Sequence, residues 1–198
     1  MFTSDIFYII VGDKSLIIKK QGEKLQEIIE FISFIPNVPF YCHLFDEDKN
    51  YIEEMKSLVK KLKIKNAMVI VPDDSIDLEI DRRLFIEFFM RCGVRKVNLK
   101  SQCFLLSLED KKYISISRTT RTIVLQYIAN NKSIAKKYYD KNYLDIKQIA
   151  LDSKHLHADY EYDSIPVYIN NINNDMEKYE DVGILISFDD FITNTMNS

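Results

Sequence analysis

The sequence predicts an α/β protein with mixed sheets, and three observations support that prediction. Residues 67–108 show a strand, a turn, a helix and a second strand, which is the βαβ unit of a parallel sheet. The chain opens with two short apolar runs around a turn, which is typical of a hairpin. After residue 110, three strand-like runs follow one another and indicate an antiparallel meander.

The βαβ unit begins with Ala67–Val71, an apolar run that suits a strand buried on both faces. Pro72 ends that strand, and Asp73, Asp74 and Ser75 have the chemistry of turn and N-cap residues.

The helix of this unit is predicted from residue 76 onward, where the apolar period changes from 2 to 3.6. Gly93 is the expected residue after the helix, and Val97 begins the second strand. The predicted inward face contains Ile76, Ile80, Leu84, Phe85, Phe88 and Phe89.

The first part of the chain contributes further elements. Ile6–Val11 and Leu16–Lys20 are predicted strands, and Tyr51–Leu62 is a predicted amphipathic helix. Phe40–Phe45 is predicted as a strand. The residues after Gly22 predict another helix, whose apolar face contains Leu25, Ile28, Ile29, Ile32 and Ile35.

The second part repeats the mixture of strands and helices. The meander and a helix are followed by two strands that a short helical segment separates. These elements are Tyr113–Ser117, Thr122–Ala129, Ser133–Tyr139, Tyr143–Leu156, Ile165–Ile169, Asn173–Tyr179 and Ile184–Phe188. We therefore expect two lobes, residues 1–110 and a smaller one at 111–198, with no low-complexity linker between them.

Composition narrows the function classes. The net charge of −3 gives no general signal for nucleic-acid binding. No apolar run is long enough to span a membrane, and no signal peptide opens the chain. Three irregularly spaced cysteines indicate reduced thiols, so a cytoplasmic location is predicted. Four glycines are roughly 2% of the chain, against about 7% in average proteins, which leaves little material for phosphate-binding loops.

Residues 66–108 also carry a family resemblance. A strand that ends in Val-Pro, an acidic helix with Glu and Arg, a Gly-Val pair and a short strand resemble the actin-like superfamily. That superfamily includes bacterial rod-shape, division and pilus-assembly actin homologues and the heat-shock chaperone ATPases. The resemblance implies two ribonuclease-H-like lobes that hold nucleotide between them. A chain of 198 residues leaves little room for the family's additional subdomains.

The resemblance implies three nucleotide loops, and each one is altered here. The first loop, Asp-x-Gly-Thr, falls on residues 10–13, where Gly12 remains, Asp13 follows it and Ile10 replaces the metal-associated aspartate. The Gly-Gly pair of the adenosine side is replaced by Ser187-Phe188-Asp189. The second loop, Asp-x-Gly-Gly-Gly-Thr, falls on Ser115, Ile116, Ser117, Arg118, Thr119 and Thr120.

These replacements predict a degenerate nucleotide site. Magnesium beside phosphates is usually held through carboxylates, and both acids are missing. Glycines let phosphate oxygens approach the backbone, and the replacing side chains occupy that space. We therefore predict no bound metal and no required cofactor, while ATP or ADP with magnesium remains the alternative.

Several side chains are candidates for a diverged site. Asp77 and Glu79 lie where some family members hold the carboxylate that orients water; the alternative is acids that complement a helix N-terminus. Arg118 and Arg121, with Thr119 and Thr120, form a candidate metal-free anion site; the alternative is a solvated hairpin.

Two further residue patterns are weaker candidates for metal binding or catalysis. His155 and His157, followed by Asp159 and Asp163, suggest metal ligation, but on a helix end the two rings diverge by about 200°. A ribonuclease-H-type nuclease needs an acid inside the first strand, and Ile6–Val11 has none.

Charge is unevenly distributed in the second lobe. Residues 111–154 contain ten Lys and Arg against three Asp and Glu, whereas residues 155–191 contain nine acids against one lysine. The two segments either pair on folding or leave faces of opposite sign, which suit self-assembly or a charged protein partner.

The sequence therefore predicts a non-catalytic actin-like scaffold, a pseudo-ATPase that binds proteins within a bacterial cytoskeletal, division or pilus/secretion-type assembly. Membrane association is expected only through a partner. The alternatives are a nucleotide-binding actin-like filament protein with a diverged ATP site and a nucleic-acid-processing domain of ribonuclease-H-like fold.

Overall fold

The computed structural model describes residues 6–23, 26–31, 35, 37–46 and 49–198. The chain divides into two compact units, Met1–Ser101 and Gln102–Ser198. Each unit contains a mixed five-stranded sheet with helices, which confirms the predicted α/β class. No helix of the described residues is long and apolar enough to cross a membrane.

The sheet of the first unit has the strand order β3-β2-β1-β4-β5. Strand β1 pairs antiparallel with β2 and parallel with β4, so it joins the hairpin to the βαβ unit. Strands β4 and β5 are parallel, as predicted. The strands are β1 (Ile6–Val11), β2 (Ser15–Lys20), β3 (Gln26–Glu30), β4 (Asn66–Val71) and β5 (Lys96–Ser101).

Two helices cover one face of this sheet, α1 (Tyr51–Leu62) and α2 (Glu79–Arg91). Helix α1 has the predicted bounds and buries Met55 and Val59. Helix α2 buries three phenylalanines in the same core, Phe85, Phe88 and Phe89. Gly93 follows α2 with a φ of +101°, the left-handed conformation expected of a residue that ends a helix.

The helix predicted after Gly22 is wrong. Residues 26–30 form β3, which pairs antiparallel with β2 in a register that places Leu16 opposite Ile29. Ile29 packs against the core and Phe31 is buried, whereas Ile28 is exposed. Burial therefore alternates with the two-residue period of a strand. Leu25 and Ile32 lie outside the described residues.

Two more local predictions in this unit are wrong. Phe40–His43 is a 3-10 turn rather than a strand, and it buries Phe40 against Phe31 with ring centroids 4.4 Å apart. Ile80 is 78% exposed and does not join the core face of α2. A separate 3-10 turn, Ser75–Asp77, precedes α2, which begins at Glu79. At about 100° per residue, Ile80 lies about 130° around the helix axis from the centre of the face that the buried phenylalanines form.

The sheet of the second unit has the strand order β10-β9-β6-β7-β8. Its meander is antiparallel, as predicted, and β9 joins β6 in parallel. Asn130 and Asn131 both have positive φ, which is the conformation of a tight hairpin turn. The strands are β6 (Lys112–Arg118), β7 (Thr122–Ala129), β8 (Lys132–Asp140), β9 (Val167–Asn170) and β10 (Ile184–Ile186).

Three helices accompany this sheet: α3 (Ile146–His155), α4 (Asp159–Tyr162) and α5 (Phe188–Asn197). Helix α3 places Ile149 in a core with Ile116 and Leu125. Helix α5 is not evident from the sequence, because its few apolar positions directly follow the predicted strand Ile184–Phe188.

Residues 102–110 lie with the second unit, although the sequence pattern favours a first lobe that ends at residue 110. A 3-10 turn over Gln102–Leu105 is held there by side chains of later elements. Tyr113 Oη donates a hydrogen bond to the carbonyl of Cys103 at 2.7 Å. Asn194 Nδ2 donates to the carbonyl of Leu105 at 2.9 Å.

Candidate functional site

The first predicted phosphate loop is a closed hairpin turn. The backbone N–H of Gly12 donates to the carbonyl of Ser15 at 2.9 Å, so this amide is already paired. Asp13 lies within the turn and is half-buried. Ile10 is fully buried in β1, opposite Ile17 of β2. An apolar side chain therefore stands where the resemblance implies a carboxylate near the metal.

The second predicted loop is closed by its own side chain. Thr119 Oγ1 accepts hydrogen bonds from the backbone N–H of Arg121 at 3.1 Å and of Thr122 at 3.0 Å. The N–H of Thr119 itself donates to the carbonyl of Thr122 at 2.8 Å. Thr119 is buried and Thr120 is half-buried. Three amides of the turn are therefore occupied within the chain.

Arg118 is paired with a carboxylate beside this turn. Its Nη1 lies 2.9 Å from Asp175 Oδ2, and its Nε donates to the carbonyl of Lys141 at 3.3 Å. The structure thus brings Arg118, Thr119, Thr120 and Arg121 together, but an anion there would compete with Asp175 for the guanidinium.

Ser115 and Ser117 lie inside β6 and are both buried. They alternate with Ile114 and Ile116, whose side chains belong to the core of the second unit. Ser115 Oγ makes no hydrogen bond within the described residues. These two serines are positions of the sheet interior rather than of an open loop.

The third predicted loop is a capped helix start. Ser187 is the N-cap of α5, and its Oγ accepts from the N–H of Asp190 at 3.2 Å. Asp190 Oδ2 in turn accepts from the N–H of Ser187 at 3.4 Å, which completes a capping box. Asp189 and Asp190 add negative charge to the first helical turn, where a phosphate would otherwise be favoured.

The two candidate catalytic acids are both exposed. Asp77 ends the 3-10 turn before α2. Glu79 is the first residue of α2, and its Oε1 lies 2.6 Å from Arg83 Nη2. That geometry agrees with acids that complement a helix N-terminus.

A buried polar cluster at the carboxyl end of β4 escaped the sequence analysis, which took Asp73 and Asp74 as turn and cap residues. Ser101 Oγ donates to Asp73 Oδ1 at 2.5 Å. Tyr41 Oη lies 2.8 Å from Ser75 Oγ and 3.3 Å from Asp81 Oδ2. Asp74 is the N-cap of the 3-10 turn, but no side-chain cap bond forms.

The signal that locates this cluster is the parallel register, which places Val71 opposite Ser101 and thereby aligns the ends of β4 and β5. Side chains that follow such strand ends meet at one edge of the sheet. The described residues nevertheless contain no group of three His, Cys, Asp or Glu side chains arranged to hold a metal ion.

Of the two histidines proposed as candidate metal ligands, His157 has another role, and His155 lies exposed in the last turn of α3. His157 stacks on Tyr127 with ring centroids 4.5 Å apart, and its Nδ1 accepts from the N–H of Asp159. Tyr127 Oη donates to Asp159 Oδ2 at 2.7 Å, and Lys112 Nζ lies 2.7 Å from the same oxygen. The hydrogen bond from Lys112 lowers the pKa of Asp159.

The basic and acidic segments of the second unit pair in part. Lys112 of the basic segment contacts Asp159 and Asp163, and Arg118 contacts Asp175. Lys137 pairs instead with Asp152 inside the basic segment. The charge split is therefore partly neutralised within the fold.

No protein-family model and no curated protein matches the sequence. Solved structures do match its fold. The ethanolamine utilization protein EutJ from Carboxydothermus hydrogenoformans aligns with a TM-score of 0.63 at 10% identity, over 99% of this chain and 89% of that one. The AlfA filament structure from a Bacillus subtilis plasmid, pLS32, gives a TM-score of 0.54 at 10% identity, over 93% and 91%. The apo ParM protein of pSK41 gives 0.51 at 11% identity, over 97% and 94%.

The chain therefore has the actin-like fold, which confirms the resemblance. At identities of 10–11% the likeness concerns the fold and does not extend to activity.

Proposed function

We propose that this protein is a non-catalytic actin-like scaffold, a protein-binding component of a bacterial cytoskeletal, division or pilus/secretion-type assembly. The observation that carries the proposal is the hydroxyl of Thr119, which occupies two backbone amides at the position of the second phosphate loop. Phosphate binding depends on such amides being free to donate.

The other two loops support the same proposal. The amide of Gly12 is paired within its hairpin, and Ser187 and Asp190 cap the helix that follows the third loop. Phosphate at either place would displace an existing hydrogen bond, and at the third it would also meet two carboxylates. The scaffold acts in the cytoplasm, in keeping with the odd number and irregular spacing of its three cysteines, and reaches membranes only through a partner.

A second candidate is a nucleotide-binding filament protein with a diverged site. The buried cluster around Asp73 and Asp81 favours it, because the carboxyl ends of parallel strands are the usual place for ligands in α/β sheets. The AlfA structure similar in fold is a filament.

A thermal-unfolding titration separates the two candidates. The protein is heated with ATP or ADP, each with and without magnesium, and with inorganic tripolyphosphate as a control for general anion binding. A ligand at 100 times its Kd stabilises the native state by about 2.7 kcal/mol, which is a shift of several degrees at this chain length.

The scaffold proposal expects no shift at millimolar nucleotide. A magnesium-dependent shift with ATP that tripolyphosphate does not reproduce would overturn it in favour of the second candidate. In that case Asp73→Asn should abolish the shift if the buried cluster binds the nucleotide complex.

A further inference from the structure

The face of α2 that points away from the core exposes apolar side chains, although the opposite face already buries three phenylalanines. Two large apolar side chains near its ends are exposed, Ile80 at 78% and Met90 at 56%. Beside Met90, in the carboxyl-terminal half of the helix, lies a groove of about 520 Å³, lined by Arg83, Ile86, Glu87, Met90 and Arg91.

Charges of alternating sign border this groove along one row of the helix. The row steps by four residues, through Glu79, Arg83, Glu87 and Arg91. Within the chain, Arg83 pairs with Glu79 at 2.6 Å and Arg91 with Glu87 at 2.5 Å. All four side chains are more than half exposed, and exposed pairs of this kind are weak, so their partners exchange at little cost.

The row is self-complementary about its midpoint. In an antiparallel pair of α2 helices with a two-fold axis at the level of Phe85, Arg83 meets Glu87 of the other copy. In the same way, Glu79 meets Arg91 of the other copy. Ile80 lies toward Met90 of that copy. Every position of the row therefore faces its opposite charge, as an isologous interface requires.

We propose that this face of α2 is an interface between two copies of the protein, packed antiparallel. The four-residue row of one copy enters the groove of the other, which is the common ridge-into-groove arrangement that crosses at about −50°. Thirteen residues make a helix of about 20 Å, so the contact is small and the dimer is transient.

Charge complementarity favours a second copy over a lipid surface. Helices that lie on anionic membranes carry an excess of Lys and Arg on their polar face. The row on α2 has two acids and two bases, and the exposed Arg82 beside it adds one positive charge, so this face has no large excess of bases. Arg91 also stacks over the ring of Phe45 at 5.1 Å, which holds one end of the row in position.

This interface makes a second copy of the chain a binding partner of the proposed scaffold. In that sense the inference rests on the proposed function. Its test measures association alone, without nucleotide. Loss of the dimer would leave the nucleotide titration unaffected, and nucleotide binding would leave the dimer unaffected, so the two failures are distinguishable.

The test is sedimentation velocity from 1 to 200 µM on wild type, Arg83→Glu, Glu87→Arg and an equimolar mixture of the two variants. Each variant alone places like charges opposite each other twice per dimer, and we expect its association to weaken at least about tenfold. In the mixture every inner pair is again opposite in sign, so we expect a heterodimer of near wild-type affinity.

Lys147→Glu on α3 is the matched control, since it makes the same change of charge on another exposed helix face and should dimerise as wild type does. Thermal unfolding verifies that all variants fold. Restored association in the mixture cannot come from a damaged helix, because both partners carry the damage.

Three results would overturn the proposal. They are a wild type that stays monomeric over the whole range, single variants that dimerise normally, and a mixture that stays monomeric although each variant is folded. A monomeric wild type that sediments with phosphatidylglycerol vesicles would assign the face to a membrane instead.

Discussion

The hydroxyl oxygen of Thr119 lies 3.0 Å from the backbone nitrogen of Thr122 and accepts its hydrogen bond. The same oxygen accepts from the backbone N–H of Arg121. One side chain thus takes the place that an anion would have in an open phosphate loop. Closure of this turn is a property of the folded chain and needs no ligand.

Thr119→Ala should therefore destabilise the protein. It leaves two amide donors of a partly buried turn without their acceptor, which costs about 1–2 kcal/mol. Thr119→Ser keeps the hydroxyl and is the matched control, with an expected loss below about 0.5 kcal/mol. Urea unfolding followed by circular dichroism measures both. Equal midpoints for the two variants would show that the hydroxyl does not hold the turn.

The sequence alone shows which residues depart from the loop patterns that the resemblance implies, because both acids and all the glycines of those patterns except Gly12 are absent from the matching positions. It was not enough to predict what the replacements do. The sequence left Thr119 either in a candidate anion site or in a solvated hairpin, whereas its hydroxyl accepts hydrogen bonds from the amides of its own turn. The Asp73–Ser101 contact joins residues 28 positions apart, and it follows only from the parallel register of β4 and β5.

Tyr127 provides a prediction for alkaline pH. Burial raises the pKa of Tyr127 to about 12, and the hydrogen bond to Asp159 acts in the same direction. The pKa of an unfolded tyrosine is about 10, so between pH 10 and 12 the folded state holds a proton that the unfolded state has lost. The stabilisation is therefore complete below pH 10 and is lost as the pH rises toward 12.

Tyr127→Phe removes this titration, so the decline of stability from pH 10 to 12 should become shallower than in wild type. Urea midpoints measured at half-unit steps of pH test it. Tyr162→Phe, at an 83% exposed position, is the control and should keep the wild-type slope. An unchanged slope in Tyr127→Phe would contradict the assignment. Some decline remains in either case, because burial also raises the pKa of Tyr139.

The buried cluster of the first unit should depend on the hydroxyl of Tyr41. Tyr41→Phe removes its contacts with Ser75 and Asp81 and should cost about 1–2 kcal/mol. Tyr41→Ala also removes the ring, which lies 4.8 Å from that of Phe85, and should cost about 3–5 kcal/mol. Chemical unfolding of both variants separates the polar part from the packing part. A negligible loss of stability in Tyr41→Phe would show that these hydrogen bonds do not stabilise the fold.

The fold was predictable from the sequence where the spacing of apolar residues fits only one type of secondary structure. Helix α1 has four apolar positions at helical spacing and lysines between them, and its predicted bounds are confirmed. Residues 26–30 are ambiguous, because adjacent isoleucines fit both a helix face and a strand. Pairing with β2 decides between them, and that contact is tertiary.

Gly183 and Gly22 allow a direct comparison of steric crowding with backbone strain. A Cβ added at Gly183 would clash with the carbonyl oxygen of Val167 and lie 2.8 Å from its Cβ. Backbone and a branched side chain cannot move aside cheaply, so Gly183→Ala should cost about 2–3 kcal/mol and loosen the pairing of β9 with β10. A Cβ at Gly22 meets nothing within 4 Å, but its φ of +76° is unfavourable for alanine, so Gly22→Ala should cost about 1 kcal/mol.

Urea unfolding gives both losses of stability, and hydrogen exchange of the β9 amides should rise in Gly183→Ala alone. Equal losses would mean that the β10 edge relaxes to admit a methyl group, and the close approach at Val167 would then have no consequence for stability.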